Sequence, residues 1–438
     1  MITILAYIMI AVFMFAIIRK KLSPFTALVF IPLIFSIIAV ALGLCENKLG
    51  EFAKEGLLGT ALTGIMLLFA IFYFAIMLDA GLFDPVTNFV IRMAKGDPVK
   101  VLLGTAVVAA CVSLNGDGTT TTMICCAAFV PVYKKLNMKM MNLAVIVVLQ
   151  NTILNLLPWS GPTARVMSVL PVGGEILQYL APGMFASILY MLGISYYLGL
   201  KERKRIGVIK LTDAEMNELT AIVDPEILLL RRPKNLWTNA LLTIVLIAVL
   251  VIDIYPSAFL FLVGTVLAVL INYRDLKTQV ERISANAGDA CQTVILVFAA
   301  GIFMGLFNGT GMAEAVAGSF SSMIPKSMGG LWGIIVALIS IPGTFFLSND
   351  AFYYGVLPVL AETGYTYGFT PIQMALASLM GQAFHLLSPL VAFIYLLLRL
   401  TGQDMGEWQI QSAKIASGIF AIFIISVILT GAMPLMIR

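Results

Sequence analysis

Ser113–Thr122, with the sequence SLNGDGTTTT, interrupts an apolar stretch that extends from residue 101 to residue 135. Gly116 and Gly118 flank Asp117, so the backbone can turn tightly and open its donors and acceptors to a ligand. We predict that 101–135 forms a re-entrant hairpin, which enters and leaves a membrane by the same face. Broken backbone at membrane depth is tolerated only where protein or a water-filled cavity surrounds it.

The composition supports a membrane location for this stretch. Of the 438 residues, 60% are hydrophobic and only 11% are charged, whereas a soluble domain carries about 25% charged residues. Apolar runs of roughly 17 to 25 residues, enough to cross ~30 Å of hydrocarbon, recur along the chain. The sequence therefore predicts a multi-pass membrane protein. The net charge of +4 does not indicate nucleic-acid binding, because the basic residues are confined to short loops.

A second interrupted stretch occupies 329–361 and has Ser348-Asn349-Asp350 at its centre. It belongs to an internal repeat with an offset of 230 residues, which aligns Asn155-Leu156-Leu157 with His385-Leu386-Leu387. Asp117 and Asp350 are 233 residues apart, so with a small length change within the hairpin they occupy corresponding tips. We predict a second re-entrant hairpin at 329–361.

The repeat predicts an all-α fold with five spans and one hairpin per half. Because five is odd, the second half would be inserted upside down, the inverted-repeat arrangement of many secondary transporters. The first half is expected at 1–200 with its hairpin entering from the inside, and the second at 236–438 with its hairpin entering from the outside. A cytoplasmic linker at 201–235 would join them. The predicted spans lie near 2–18, 24–44, 56–78, 142–168, 175–200, 236–253, 257–273, 284–308, 371–398 and 411–434.

The positions of lysine and arginine agree with this topology. With the N-terminus outside, the inner loops hold 22 of the 27 Lys and Arg residues, as the positive-inside rule requires. The predicted outer side holds the other five, which are Lys48, Lys54, Arg165, Lys326 and Arg438.

Two aspartates at membrane depth indicate a functional site, because an intramembrane acid is expensive. The span after each hairpin is also interrupted: Asn155–Thr163 reads NLLPWSGPT and His385–Pro389 reads HLLSP. Proline cannot continue a regular helix, and the freed carbonyls need partners. The sequence therefore predicts that two tips and two breaks meet at one site.

Two residues beside the breaks have open roles. His385, the only histidine, has an unperturbed pKa of ~6.5 that suits a proton-linked role, but a neutral histidine bonded between helices is an equal alternative. Arg165 is placed either to bind a substrate carboxylate in fork geometry or to anchor the helix at the outer headgroups.

At these motifs the chain resembles the CitMHS family, the bacterial symporters of citrate complexed with a divalent metal, over essentially its whole length. The resemblance rests on four stretches, Leu22–Leu28, Gly116–Thr121, Asn155–Arg165 and Phe345–Pro358. It implies the fold of the wider ion transporter superfamily, a homodimer and an elevator motion of the part that carries both tips. It also implies a location in the bacterial inner membrane, in contact with lipid.

The resemblance implies proton-coupled uptake of citrate or a related tricarboxylate together with a divalent cation, Mg or Ca, and no cofactor of the protein itself. We expect substrate contacts at Asn115, Gly116, Gly118, Thr119, Thr120, Pro158, Ser160, Gly161, Thr163, Arg165, Ser348, Asn349 and Ser388. Proton or cation coupling is expected at Asp117, Asp350, Asn155 and His385, where Asp117 and Asp350 would contact the metal of the metal–citrate complex.

Four other functions are alternatives. A sodium-coupled di- or tricarboxylate transporter or a cation–proton antiporter would use the same fold. An intramembrane enzyme is disfavoured, because the chain has a single histidine and no His-Glu-x-x-His pattern. A passive channel would conduct without saturation.

Overall fold

The computed structural model describes residues 1–209, 211–212, 215, 225–323 and 326–437. Within these ranges the regular secondary structure is helical. The first half contains α1 (Ile2–Ile18), α2 (Pro24–Ala41), α3 (Leu49–Asp79), α4 (Asp84–Ala94), α5 (Pro98–Ser113), α6 (Gly118–Lys135), α7 (Met140–Leu154), α8 (Gly161–Val169) and α9 (Ile176–Ile206).

The second half begins with α10 (Pro225–Leu230) and a short 3₁₀ turn (Pro233–Asn235). It continues with α11 (Leu236–Ile252), α12 (Ser257–Asn272), α13 (Leu276–Gly309), α14 (Met312–Met323), α15 (Lys326–Gly329), α16 (Trp332–Phe346), a π-helical turn (Ala351–Val356), α17 (Leu357–Thr366), α18 (Pro371–Leu379), α19 (Gln382–His385), α20 (Ala392–Thr401) and α21 (Met405–Leu429).

Each of the ten predicted spans is occupied by helix, and the two predicted breaks separate α7 from α8 and α19 from α20. Among the described residues, six helices are long and apolar enough to cross a membrane. They are Pro24–Ala41, Leu49–Asp79, Ile176–Ile206, Pro233–Ile252, Leu276–Gly309 and Met405–Leu429. The protein is a multi-pass, all-helical membrane protein. The opposite orientation of the two halves stays a prediction.

The helix order recurs from one half to the other. Hairpin α5–α6 corresponds to hairpin α16–α17, and α3 and α13 end at Asp79 and Gly309, which are 230 residues apart. Each hairpin turns at its predicted polar tip, at 114–117 in the first half and at 347–350 in the second.

Two short helices, α4 and α14, precede the hairpins and were not predicted. α4 has only 11 residues; it buries Val90 and Ile91 on one face and exposes Phe89 and Met93 on the other. Such a helix is too short to span a bilayer, so a search for apolar runs does not detect it.

The two longest helices, α3 and α13, cross at glycines. A Cβ on Gly56 would lie 1.9 Å from the Gly301 carbonyl oxygen, and a Cβ on Gly305 would lie 2.1 Å from that of Phe52. Any larger residue would push the helices apart, since small residues are what let helix backbones approach closely in membranes. This glycine crossing joins corresponding helices of the two halves.

The predicted linker is described in part. α9 continues to Ile206, so the first six linker positions are helical. Glu215 pairs with Lys135 at the end of α6 at 2.8 Å, and the Thr212 N–H donates to the Glu215 carboxylate at 2.8 Å. Residues 210, 213–214 and 216–224 of the linker lie outside the described residues.

Candidate functional site

The first tip is built around the carboxylate of Asp117. It accepts hydrogen bonds from the N–H groups of Thr119 at 3.2 Å and Thr120 at 2.6 Å, and so caps α6. The Asn115 side-chain oxygen accepts from the Asp117 N–H at 2.6 Å. A capping aspartate satisfies N–H groups that have no partner within the helix. Asp117 also remains exposed, so its charge faces outward from a fixed turn.

Two glycines bring this tip close to other parts of the chain. Gly116 has a φ of +77°, and a Cβ on it would lie 2.8 Å from Ser160 Oγ. A Cβ on Gly118 would lie 2.3 Å from the ring of Phe393 in α20. The tip of the first half therefore contacts both the break of its own half and the helix after the break of the other half.

The side chains at the first break satisfy the carbonyls that the break frees. Ser160 Oγ donates to the Leu154 carbonyl at 3.3 Å, and Thr163 Oγ1 donates to that of Leu156 at 2.8 Å. Ser160, Thr163 and Pro158 are buried. These predicted site residues belong to the break that lies beside the first tip. The hydroxyl groups of Ser160 and Thr163 are already hydrogen-bonded to backbone carbonyls.

Arg165 in α8 forms an ion pair with Asp350 of the second tip. Its Nε lies 2.7 Å from Asp350 Oδ1, and its Nη1 donates to the Gly161 carbonyl at 2.9 Å. The two side chains are only 22% and 19% exposed. Arg165 thus joins the first break to the tip of the other half, a contact that the sequence analysis did not foresee.

The second tip leads into a chain of hydrogen bonds. Ser348 Oγ accepts from the Ala351 N–H at 3.2 Å. The side-chain nitrogen of Gln382 lies 2.9 Å from Asn349 Oδ1 and 2.8 Å from the Tyr353 hydroxyl oxygen. Tyr353 belongs to the π-helical turn that follows the tip, and π turns inside helices are frequent at functional sites.

The second break is tied to the hairpin by His385 and Ser388. The Nδ1 of His385 lies 2.7 Å from the Thr344 carbonyl oxygen. Because a carbonyl can only accept, Nδ1 carries the hydrogen. Ser388 Oγ donates to the Phe345 carbonyl at 2.6 Å. Asn155, which corresponds to His385, makes no side-chain hydrogen bond within the described ranges.

Several buried polar atoms near the tips have no hydrogen-bond partner among the described residues. They are Ser113 Oγ, Asn115 Nδ2, Thr122 Oγ1, Asn151 Oδ1, Thr152 Oγ1 and Gln382 Oε1. Unpaired buried polar groups are costly, so a cluster of them is typical of a site that a polar ligand completes. The sequence analysis did not identify three of these residues as site residues, namely Asn151, Thr152 and Gln382. Three adjacent polar residues in the apolar run of α7, Gln150, Asn151 and Thr152, were the available signal for that helix.

No cluster of metal ligands competes with the tips and breaks within the described ranges. No group of three or more His, Cys, Asp or Glu side chains within the described ranges is placed to hold a metal ion. Two grooves of about 320 and 380 Å³ lie elsewhere, one lined by Ala186 and Ile422 and the other by Asn142 and Gln411. The tips and breaks therefore remain the candidate site.

A multi-pass helical fold with two polar hairpin tips beside two broken helices defines a membrane transport protein. The chain belongs to the CitMHS family, because the family profile, described as "Citrate transporter", matches residues 3–381. The predicted resemblance is confirmed, and the family is one of transporters and not of enzymes.

Curated relatives agree with this assignment, and a solved structure agrees with the fold. The chain is 45% identical over 432 residues, 98% of this chain and 99% of the relative, to a "Citrate transporter" of Bacillus subtilis (strain 168). It is 41% identical over 439 residues, 100% of this chain and 98% of the relative, to a "Mg(2+)/citrate complex secondary transporter" of the same organism. The YdaH transporter of Alcanivorax borkumensis has the same fold, with a TM-score of 0.58, 14% identity and 89% of each chain covered.

Proposed function

We propose that this protein is a secondary active transporter that takes up citrate as a complex with a divalent metal, in symport with protons. The observation that carries the proposal is the Arg165–Asp350 ion pair. Arg165 is the cation at the tips, and it is already neutralised by Asp350 at 2.7 Å. Asp117 then leaves the tips with a net negative charge.

This charge balance favours a substrate of reduced charge. Citrate is a trianion near neutral pH, and a bare trianion would be repelled by the Asp117 carboxylate. Chelation of Mg²⁺ or Ca²⁺ by citrate removes two of the three negative charges. The metal of the complex also accepts further oxygen ligands, which the Asp117 carboxylate can supply. The metal is thus part of the substrate.

We assign the substrate carboxylates to donors at the tips. The Asn115 side-chain nitrogen is a buried donor without a partner in the described part of the chain. Ser348 and Asn349 lie at the other tip, and Asn349 is engaged only through its oxygen. Citrate bound there would contact both halves at once.

Proton coupling is assigned to Asp117. Its carboxylate is exposed and accepts two backbone hydrogen bonds. Protonation would weaken both bonds, because charge-assisted bonds are the stronger kind. Proton binding would therefore loosen the start of α6. His385 is assigned a structural role, since its Nδ1 is committed to the Thr344 carbonyl.

The homodimer, the elevator motion and a bacterial inner-membrane location belong to the same proposal. They are supported by family membership and by relatives from a bacterium. The inverted orientation of the halves at 1–200 and 236–438, joined by a linker at 201–235, is supported by the recurring helix order.

The test is uptake of labelled citrate into proteoliposomes, with magnesium, calcium, sodium and the pH gradient varied separately. We expect uptake that requires a divalent ion and an inward proton gradient. Uptake that follows sodium and is weakened by divalent ions would contradict the proposal and favour a sodium-coupled carrier. Cation exchange without any organic anion would favour an antiporter.

A further inference from the structure

Gln382 occupies an unusual position behind the second tip. It is the first residue of α19, directly after the gap that follows α18, and it is 1% exposed. Its side-chain nitrogen reaches the tip itself, at Asn349 Oδ1, and the π-helical turn, at the Tyr353 hydroxyl. Both amide hydrogens are therefore used.

The bonds of Tyr353 and Asn349 orient the side-chain amide of Gln382, with its nitrogen towards both residues. The Tyr353 hydroxyl donates to the Ser378 carbonyl at 3.4 Å. Because that carbonyl can only accept, the tyrosine oxygen is left to accept from Gln382. A reversed amide would lose the bond to Asn349 Oδ1, which also only accepts. Gln382 Oε1 is thus the free atom.

Gln382 Oε1 is a buried acceptor without a donor among the described residues. A buried acceptor that is left unpaired is costly. Because Gln382 lies next to the second tip, a ligand bound at that tip can supply the missing donor. The ligand must then supply a hydrogen. An ionised carboxylate has none to give, because it only accepts.

We propose that Gln382 recognises the hydroxyl group of a hydroxylated tricarboxylate by accepting its hydrogen. This inference rests on the proposed function. Citrate carries one hydroxyl among its three carboxylates, and that hydroxyl is its only donor when the carboxylates are ionised. Chelation of the hydroxyl oxygen by a divalent metal makes it a stronger donor, since bound cations acidify the groups they coordinate. Gln382 is then a specificity-determining residue.

The chain offers a matched control in Gln150 on α7. Gln150 is also fully buried, its side-chain nitrogen donates to the Ala106 carbonyl at 3.1 Å, and its Oε1 has no partner in the described ranges. Ala106 lies seven residues before the end of α5 at Ser113, about 10 Å along the helix. Gln150→Met therefore removes an equivalent buried amide at a position away from the tip.

The experiment compares citrate with propane-1,2,3-tricarboxylate, which has the same three carboxylates and no hydroxyl. Each is used unlabelled, with magnesium, to compete against labelled citrate uptake by the full chain in proteoliposomes. Wild type should prefer citrate. Gln382→Met should lower that preference by about tenfold, the effect of one lost buried hydrogen bond. Gln150→Met should leave the preference unchanged.

The outcomes separate this inference from the proposed function. If wild type takes up no citrate, the proposed function fails. If wild type takes up citrate but does not discriminate between the two compounds, the role of Gln382 is overturned without any variant. The inference is also overturned if Gln382→Met weakens competition by both compounds equally and leaves the preference for citrate unchanged. A reduced ratio in Gln382→Met alone supports it.

Discussion

The two hairpin tips occupy corresponding places in the repeat but hold their aspartates differently. Asp117 caps its own helix and is exposed. Asp350 makes no side-chain cap bond and pairs instead with Arg165 of the other half at 2.7 Å. The first aspartate stabilises a local turn and keeps its charge free, whereas the second compensates a distant cation. Equivalent residues therefore have different tasks.

The largest effect should follow Asp350→Asn. It leaves the guanidinium of Arg165 mostly buried and unpaired, which costs about 3 kcal/mol of the free energy of unfolding. We expect a lower thermal unfolding midpoint in detergent and citrate uptake near background. The double variant Arg165→Gln with Asp350→Asn should regain the unfolding midpoint but not uptake. Normal stability of the single variant would contradict the ion-pair role.

A smaller effect on stability is expected at Asp117. Asparagine is as good an N-cap as aspartate, so Asp117→Asn should keep the unfolding midpoint, whereas Asp117→Ala should lose about 1 kcal/mol. Because the charge is lost in both, citrate uptake should fall about tenfold or more and lose its dependence on pH. Unchanged uptake with an unchanged pH profile in Asp117→Asn would refute the coupling role.

A milder result is expected at His385. Asparagine places a donor near the position of Nδ1, so His385→Asn should keep the bond to the Thr344 carbonyl. Citrate uptake measured from pH 5 to 8 should retain its pH profile. His385→Leu, which has no donor, should lower the yield of folded protein. A flattened profile in His385→Asn would instead assign the proton to the histidine.

The smallest effect is expected at Glu215, in the predicted cytoplasmic linker. Lys135 and the capping Thr212 lower the pKa of Glu215 to about 2. A lowered pKa contributes stability above the ordinary value of 4.5, and this contribution is lost only as the pH falls towards 2. Glu215→Gln should therefore leave the pH profile of uptake between pH 5 and 8 unchanged. A shifted profile would mean that the linker takes part in coupling.

The features found from sequence are those with local signals. Glycines around Asp117, prolines around Gly161 and the repeat offset locate the tips and the breaks, because each reflects a backbone that cannot stay helical. The ion pair joins residues 185 positions apart and depends on how the halves meet. No local pattern encodes that, and the same holds for the contact of Gly118 with Phe393.

The short helices and the unpaired polar atoms were missed for other reasons. Helix α4 combines buried and exposed apolar residues over 11 positions, which is too short for a search for spans. Whether Gln382 Oε1 is paired depends on side-chain geometry around Tyr353, and sequence does not specify such geometry. The family resemblance supplied the transporter class but not these contacts.

The position that corresponds to Arg165 in the second half is Tyr395, whose hydroxyl donates to the Pro389 carbonyl at 2.8 Å. The guanidinium at the tips thus comes from the first half, and a phenol stands at the corresponding position of the second half. The two halves therefore present different side chains at corresponding positions, a guanidinium that reaches the opposite tip and a phenol that bonds within its own break. One half could not take the place of the other at the tips without losing the counter-charge of Asp350.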